Sequence, residues 1–229
     1  MNGGILKIAA QDDAINAKPD NACIVKISGG KLLINSGLGQ EGDGVDSNGY
    51  IYVNGGEIVS AARPGADCGL DANQGTIIDG GSVYSVGSSM DMASTSSGQP
   101  TMNLIFSSNV AASSTVTVKD SNGNEIISYC ANSADFISGT ERRTYLAAVV
   151  SHPSFKANSV YHIYMDGTQL GYTGNESGHG PGGQGGPGGQ GGPGGPGGQG
   201  SGSSSSGTIK TDFTLGSGAT NFSGVQKAT

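Results

Sequence analysis

Aspartate and asparagine recur at regular intervals early in the chain, where their spacing suits cation binding. Three elements carry them: Asp13-Ala14-Ile15-Asn16, Asp43-Gly44-Val45-Asp46-Ser47-Asn48-Gly49 and Asp67-Cys68-Gly69-Leu70-Asp71-Ala72-Asn73. Aligned, Asn16, Asp46 and Asp71 fall in one column, and Asp13, Asp43 and Cys68 in a second. If these elements stack as successive coils, they lie about 4.8 Å apart. Two carboxylates at that distance repel by about 1 kcal/mol in water and about 3 kcal/mol at an effective dielectric of 20. A calcium ion taking oxygens from neighbouring coils would compensate for that repulsion. Asp13, Asn16, Asp43, Asp46, Asp67 and Asp71 are therefore the expected ligands. The competing reading is that these side chains only cap turns, as Asp and Asn readily do.

Lyase chemistry on a uronate would need a base for the proton α to the carboxylate, with calcium acidifying that proton. Lys7, Lys26 and Lys31 are the nearest candidates, but none recurs with the aspartate turns, so a solvated face is expected for them. His152, His162 and His179 are scattered outside the repeats. No nucleophile–base constellation and no phosphate loop is visible. Tyr50, Tyr52 and Tyr84 are the only aromatic residues before Asp91. All three are predicted to point outward, where a flat face of rings suits stacking on sugars. The alternative is that they lie beneath another part of the chain.

The elements that position these residues come from a repeat of about 26 residues. Gly-Gly recurs at 3–4, 29–30, 55–56 and 80–81. An apolar run follows each pair (Ile5–Ile8, Lys31–Ile34, Glu57–Val59, Ser82–Tyr84), and another precedes three of them (Ile24–Ile27, Tyr50–Val53, Thr76–Ile78). With the aspartate element, each period holds three short strands and no segment long enough for a helix. Three-stranded coils stacked on copies of themselves make a parallel β-helix. Alternation assigns Leu6, Ile8, Leu32, Ile34, Ile58 and Val83 to the coil interior, with Val25, Ile27, Ile51, Val53 and Ile78 from the preceding runs. Lys7, Leu33, Val59, Tyr84, Lys26, Tyr50 and Tyr52 point outward.

The period is lost from Thr101. Strands are predicted at Thr101–Phe106, Ser114–Lys119, Glu125–Tyr129, Tyr145–Val150 and Val160–Met165, with Asp120-Ser121-Asn122-Gly123 as a hairpin turn. This reads as an antiparallel module capping the last coil, whose open end would otherwise expose unpaired backbone groups. Residues 174–207 are a Gly/Pro/Gln/Ser tract, read as a disordered linker or loop rather than collagen, because the third position of each triplet is Gly. Thr208–Leu215 and Asn221–Val225 read as strands that return to the module. The organisation is thus coils over 1–100, an antiparallel β module over 101–173, a linker or loop over 174–207 and C-terminal strands over 208–229. The fold class is all-β: a right-handed parallel β-helix of about four coils, then the antiparallel module and the Gly-rich tract.

The 229-residue chain carries a net charge of −7 with only 13% charged residues. Eleven acids and five bases lie in residues 1–91. A polyanion would be repelled there unless a cation intervened, which argues against nucleic acid as a partner. Three scattered cysteines, Cys23, Cys68 and Cys130, give neither a disulfide framework nor zinc spacing. No stretch is apolar enough for membrane insertion, and a monomer is expected. The chain opens at Met1-Asn2-Gly3-Gly4, in mid-repeat and with no signal peptide, so a fragment or a start omitting a signal and further coils is expected.

The Gly-Gly coils, Asp43-Gly44-Val45-Asp46-Ser47-Asn48-Gly49, Gly87-Ser88-Ser89-Met90, Asp120-Ser121-Asn122-Gly123-Asn124-Glu125-Ile126 and the Gly-rich tract occur in one order. In that order the chain resembles the clostridial cellulose- and acidic-sugar-binding proteins with a polysaccharide-lyase-like β-helix. The resemblance implies a secreted or cell-surface protein with calcium sites that binds cellulose or pectic, polygalacturonate-like glycans and has no established lyase activity. Two departures from that pattern are the mid-repeat opening and Cys68 where Asp43 has its counterpart. A weak calcium-dependent pectate lyase and a structural surface solenoid or adhesin are the alternative functions.

Overall fold

In the computed structural model, residues 1–18, 23–39, 41–63, 65–134, 143–174 and 208–228 are described. The N-terminal part is a parallel β-helix of about three turns. Its strands are β1 (Asn2–Ala9), β2 (Ile15–Ala17), β3 (Ile24–Asn35), β4 (Val45–Ser47), β5 (Tyr50–Ala61), β6 (Leu70–Ala72) and β7 (Gly75–Gly87). β1, β3, β5 and β7 stack in parallel as one sheet, and β2, β4 and β6 form a second. The turn count is about three rather than four because β7 is followed by no further short strand; the chain passes instead into the second module. The two apolar runs flanking each Gly-Gly, expected as separate strands, form one long bent strand. The bend lies at the second glycine of each pair, at φ +92° in Gly30, +96° in Gly56 and +92° in Gly81. A Cβ on Gly56 would lie 2.8 Å from the Gly30 carbonyl oxygen, so the corner stacks only because these residues have no side chain.

The coil interior is aliphatic, as the alternation predicts: Ile27, Leu32, Ile34, Ile51, Val53, Ile58, Ile78 and Val83 are buried there with Val45 and Leu70 of the short strands. Leu6, expected inside, is 42% exposed, and Ile8 and Val25 are only partly buried. β1 lies at the edge of its sheet and has a neighbour on one side only.

The module comprises β8 (Thr101–Ala111), β9 (Thr115–Asp120), β10 (Glu125–Cys130), a 3₁₀ turn at Ala131–Ala134, β11 (Thr144–Ser151), β12 (Val160–Met165), β13 (Thr168–Gly171), β14 (Phe213–Thr214) and β15 (Ala219–Lys227). Asp120 closes the predicted hairpin: its Oδ1 accepts from the amides of Asn122 and Asn124, and Gly123 sits at φ +84°. β14 and β15 return to the module, as expected, by pairing with β12 and with β8 and β13. The module is joined to the coils through β11, which pairs antiparallel with β7 on one side and β8 on the other. Arg143, just before β11, donates to the Ser36 and Ala61 carbonyls and fastens two coils. Among the described residues, no helix is long and apolar enough to cross a membrane. Of the Gly-rich tract read as 174–207, Gly174 pairs with Ser223, and residues 175–207 lie outside the described residues.

The second core lies between coils and module. Leu33, Val59 and Tyr84 do point out of the coil, but into this core with Leu104, Phe106 and Tyr145. One buried side chain closes the coil end. Asn103 accepts from the Ala93 amide (3.2 Å) and donates to the Ala93 carbonyl (2.8 Å) and to Asn221 Oδ1 (2.7 Å). Asn103→Leu would leave both Ala93 backbone groups buried without partners, a cost of about 3 kcal/mol. Calorimetry should find the melting temperature lowered by about 6–12 °C.

Candidate functional site

The three aspartate elements run from the loops before β2, β4 and β6 into those strands. The strand register places Asn16 beside Asp46 and Asp46 beside Asp71, the column read from the sequence. The second column is also formed, and its chemistry is specific. Asp13 Oδ1 accepts the Asp43 amide (2.9 Å), and Asp43 Oδ1 accepts the Cys68 amide (2.6 Å). Cys68 Sγ in turn accepts the Asp91 amide at 3.4 Å. Each side chain in this column therefore binds the backbone of the next coil, and Cys68 performs the task of an aspartate with a weaker acceptor. Asp67 reaches the other way, with Oδ2 accepting the Gly42 amide at 3.1 Å. Turn capping and the acidic ladder thus coexist: Asp13, Asp43 and Asp67 each commit an oxygen to a neighbouring coil.

The remaining oxygens crowd. Asn16 Nδ2 donates to Asp13 and to Asp46, and Lys18 Nζ stands 3.6 Å from Asp46 Oδ2. Burial pushes the Asp46 carboxyl up, and the charge of Asp13 adds to it. Asp43 is raised to about 6, first by burial and then by Asp67, Asp13 and Asp46, against the Cys68 amide. Asp71 is raised to about 8 by burial, then by the charges of Asp91 and Asp43, and it shares a hydrogen bond with the Asp91 carboxyl. Asp91, itself raised by burial, was not among the residues expected as ligands. The column position after Cys68 would fall near residue 93, and Asp91 lies two residues short of it, after the Gly87-Ser88-Ser89-Met90 segment. Among the described residues, no group of three or more His, Cys, Asp or Glu side chains converges as a metal site. Asp71 and Asp91 each add negative charge to the other's surroundings, and Asp46 lies next to Asp71 in register.

Tyr50 and Tyr52 stand together on the outer face of the bent sheet, half-buried, with ring centroids 5.5 Å apart and planes at 30°. Register extends that face: Ile24 lies beside Tyr50, and Lys26 and Ile77 flank Tyr52. Ile24 is 61% exposed, so the rings lie in a solvent-facing platform spanning three coils. Tyr84 is not part of it. Its ring is fully buried, stacked on Tyr129 at 5.1 Å, with its hydroxyl 2.8 Å from that of Tyr145. The module covers the coil face beyond the glycine corner, so this tyrosine is removed from the sugar-stacking set.

The candidate bases are dispersed. Lys31 pairs with Glu57 at 2.8 Å, and Lys7 and Lys26 are exposed. The lysine beside the acidic ladder is Lys18, which sequence reasoning passed over. His162 pairs with Asp212, His152 packs against Phe155, and His179 lies outside the described residues. Cys23, Cys68 and Cys130 are thiols and are not joined in disulfides. Burial pushes the Cys68 thiol up to about 12, which makes it unreactive. Comparison with protein-family models, with curated proteins and with solved structures finds no match to this chain.

Proposed function

We propose that this chain is a secreted or cell-surface carbohydrate-binding protein that holds extended plant cell-wall polysaccharide on the Tyr50–Tyr52 face. The observation that carries this reading is the platform itself: two adjacent half-exposed rings, flanked in register by Ile24 and Ile77, on the outer face of the parallel sheet. Sugar rings present apolar C–H faces, which stack on such a surface without a deep pocket. Neutral cellulose suits this face. The resemblance to the clostridial cellulose- and acidic-sugar-binding proteins points the same way.

Acidic glycans would use the ladder. Asp71 and Asp91 offer a calcium ion two carboxylates, with Asp46 adjacent, fewer than the six to eight oxygens it takes. In this reading a uronate chain and water supply the rest, and the ion separates two sets of negative charge that would otherwise repel. The protein binds such a chain without cleaving it.

Retention on microcrystalline cellulose tests the first part. Tyr50→Ala with Tyr52→Ala should weaken it about tenfold or more, from the loss of two stacking rings. Polygalacturonate should bind in calcium and not in chelator, and Asp71→Asn with Asp91→Asn should abolish that binding while leaving cellulose retention intact. Wild-type retention in the double tyrosine variant would overturn the platform reading. Rising absorbance from unsaturated products would favour the lyase alternative.

A further inference from the structure

The antiparallel module contains a cleft that neither the platform nor the ladder uses. Two departures from regular pairing open it. β8 and β11 pair from Thr101↔Ser151 to Ile105↔Ala147, then resume at Val110↔Tyr145. Phe106–Asn109 therefore face only Leu146, and the strand bulges. On its other side β15 leaves β8 after Val225↔Phe106, and its last residues pair with β13 instead. Between the separated strands lies an open cleft of about 270 Å³. Its floor is apolar, with Phe106, Leu170 and Val225 all buried. Its rim is polar and exposed, formed by Ser107–Asn109 on the bulge, Asp166 after β12 and Lys227 at the end of β15.

The rim is arranged for a ligand with both donors and acceptors. Asp166, at φ +49°, lines the cleft and accepts the Thr115 amide at 2.8 Å through Oδ1, which fixes the carboxylate and commits only one of its oxygens to that bond. Lys227 lines the same cleft without an ion pair to Asp166 among the described residues. A carboxylate that accepts from adjacent hydroxyls, an ammonium and small hydroxyl and amide side chains that donate, and an apolar floor match one molecular class. We infer that this cleft is a second binding site, for a single neutral pyranose unit. The volume lies at the small end of ligand sites, which suits one sugar ring and not a chain. The fixed Asp166 charge disfavours a uronate. The ligand class rests on the carbohydrate reading above, whereas the location does not.

Amide chemical-shift mapping of the full chain with cellobiose tests it. Perturbations are expected at Ser107–Asn109, Asp166 and Lys227, saturating below about 50 mM. Asp166→Asn, which keeps the acceptor for Thr115, and Lys227→Ala should each weaken the response about fivefold, the loss of one hydrogen bond. The Tyr50→Ala, Tyr52→Ala protein should keep these perturbations. Absence of shifts at the cleft, or shifts unchanged in both cleft variants, would overturn the inference. Loss of cellulose retention in the tyrosine variant together with a silent cleft would sink this site alone. Unchanged retention in that variant with a responsive cleft would sink the platform alone.

Discussion

Gly44→Ala is expected to lower the melting temperature by about 6–12 °C. A Cβ built at Gly44 would lie 1.9 Å from Ser60 Oγ and 2.3 Å from the Gly69 carbonyl oxygen. Neither can yield readily. Ser60 is fully buried in the coil interior and donates to that same Gly69 carbonyl at 2.7 Å. The Gly44 amide is also tied to Cys68 of the next coil. Overpacking of this kind costs about 3 kcal/mol or more, which lowers the melting temperature by about 6–12 °C. Gly3→Ala is the control, since nothing lies within 4 Å of its Cβ and its backbone is not left-handed. Circular-dichroism melts of the two variants should differ by most of that range, and coincident melts would show that the loop relaxes freely. Gly44 separates Asp43 from Val45 and Asp46, so this close approach also sets where the two acidic columns stand.

The second large effect is a fall in stability as pH rises. Folded Asp71 holds its proton to about pH 8 and Asp43 to about 6, whereas the ordinary carboxyl value is 3.8. Between those values the folded state binds more protons than the unfolded state, so stability declines with increasing pH. Their contribution is complete below about pH 4 and lost by about pH 8. Both groups are partly exposed, and after solvent screening about 2 kcal/mol remains, or about 4–8 °C in melting temperature. In chelator, therefore, the protein should melt higher at pH 5 than at pH 8. Calcium should reverse the loss at pH 8, because ion at 100 times its dissociation constant adds about 2.7 kcal/mol. Asp71→Asn should flatten the profile. A melting temperature equal at both pH values in chelator, with Asp71→Asn unchanged, would refute the account.

Much of the fold is legible in the residues. The Gly-Gly pairs mark corners that no side chain can occupy, and alternation between them separates Leu32, Ile34, Ile58 and Val83 from Leu33, Val59 and Tyr84. What alternation gives is direction. It says that Tyr84 leaves the coil, not what lies beyond, and the ring meets Tyr129 and Tyr145 from a module more than forty residues later in the chain. Tyr50 and Tyr52 face the same way relative to their strand but lie before the corner, on a face left open. The two acidic columns are legible because in-register stacking preserves sequence spacing. Asp91 breaks that spacing, since the chain after β7 leaves the coil path, and only the fold shows that its carboxyl meets Asp71. The merging of two apolar runs into one strand is hidden for a similar reason: a glycine pair reads as a break, yet backbone pairing resumes on its far side after a register shift.

The in-register stacking has a further consequence for how such a molecule can change. Ile24, Tyr50 and Gly75 occupy the same station in successive coils, as do Asn16, Asp46 and Asp71. Each coil meets its neighbours through the same backbone contacts, so a coil can be duplicated or excised without a new solution for the rest. Length becomes a discrete variable that genetic duplication can alter in whole steps. Duplicating the coil that holds Tyr50, Tyr52 and Asp46 would widen the aromatic face and lengthen the acidic ladder together. On the carbohydrate reading proposed above, reach along a polysaccharide would then be adjusted by copy number rather than by refining any single contact.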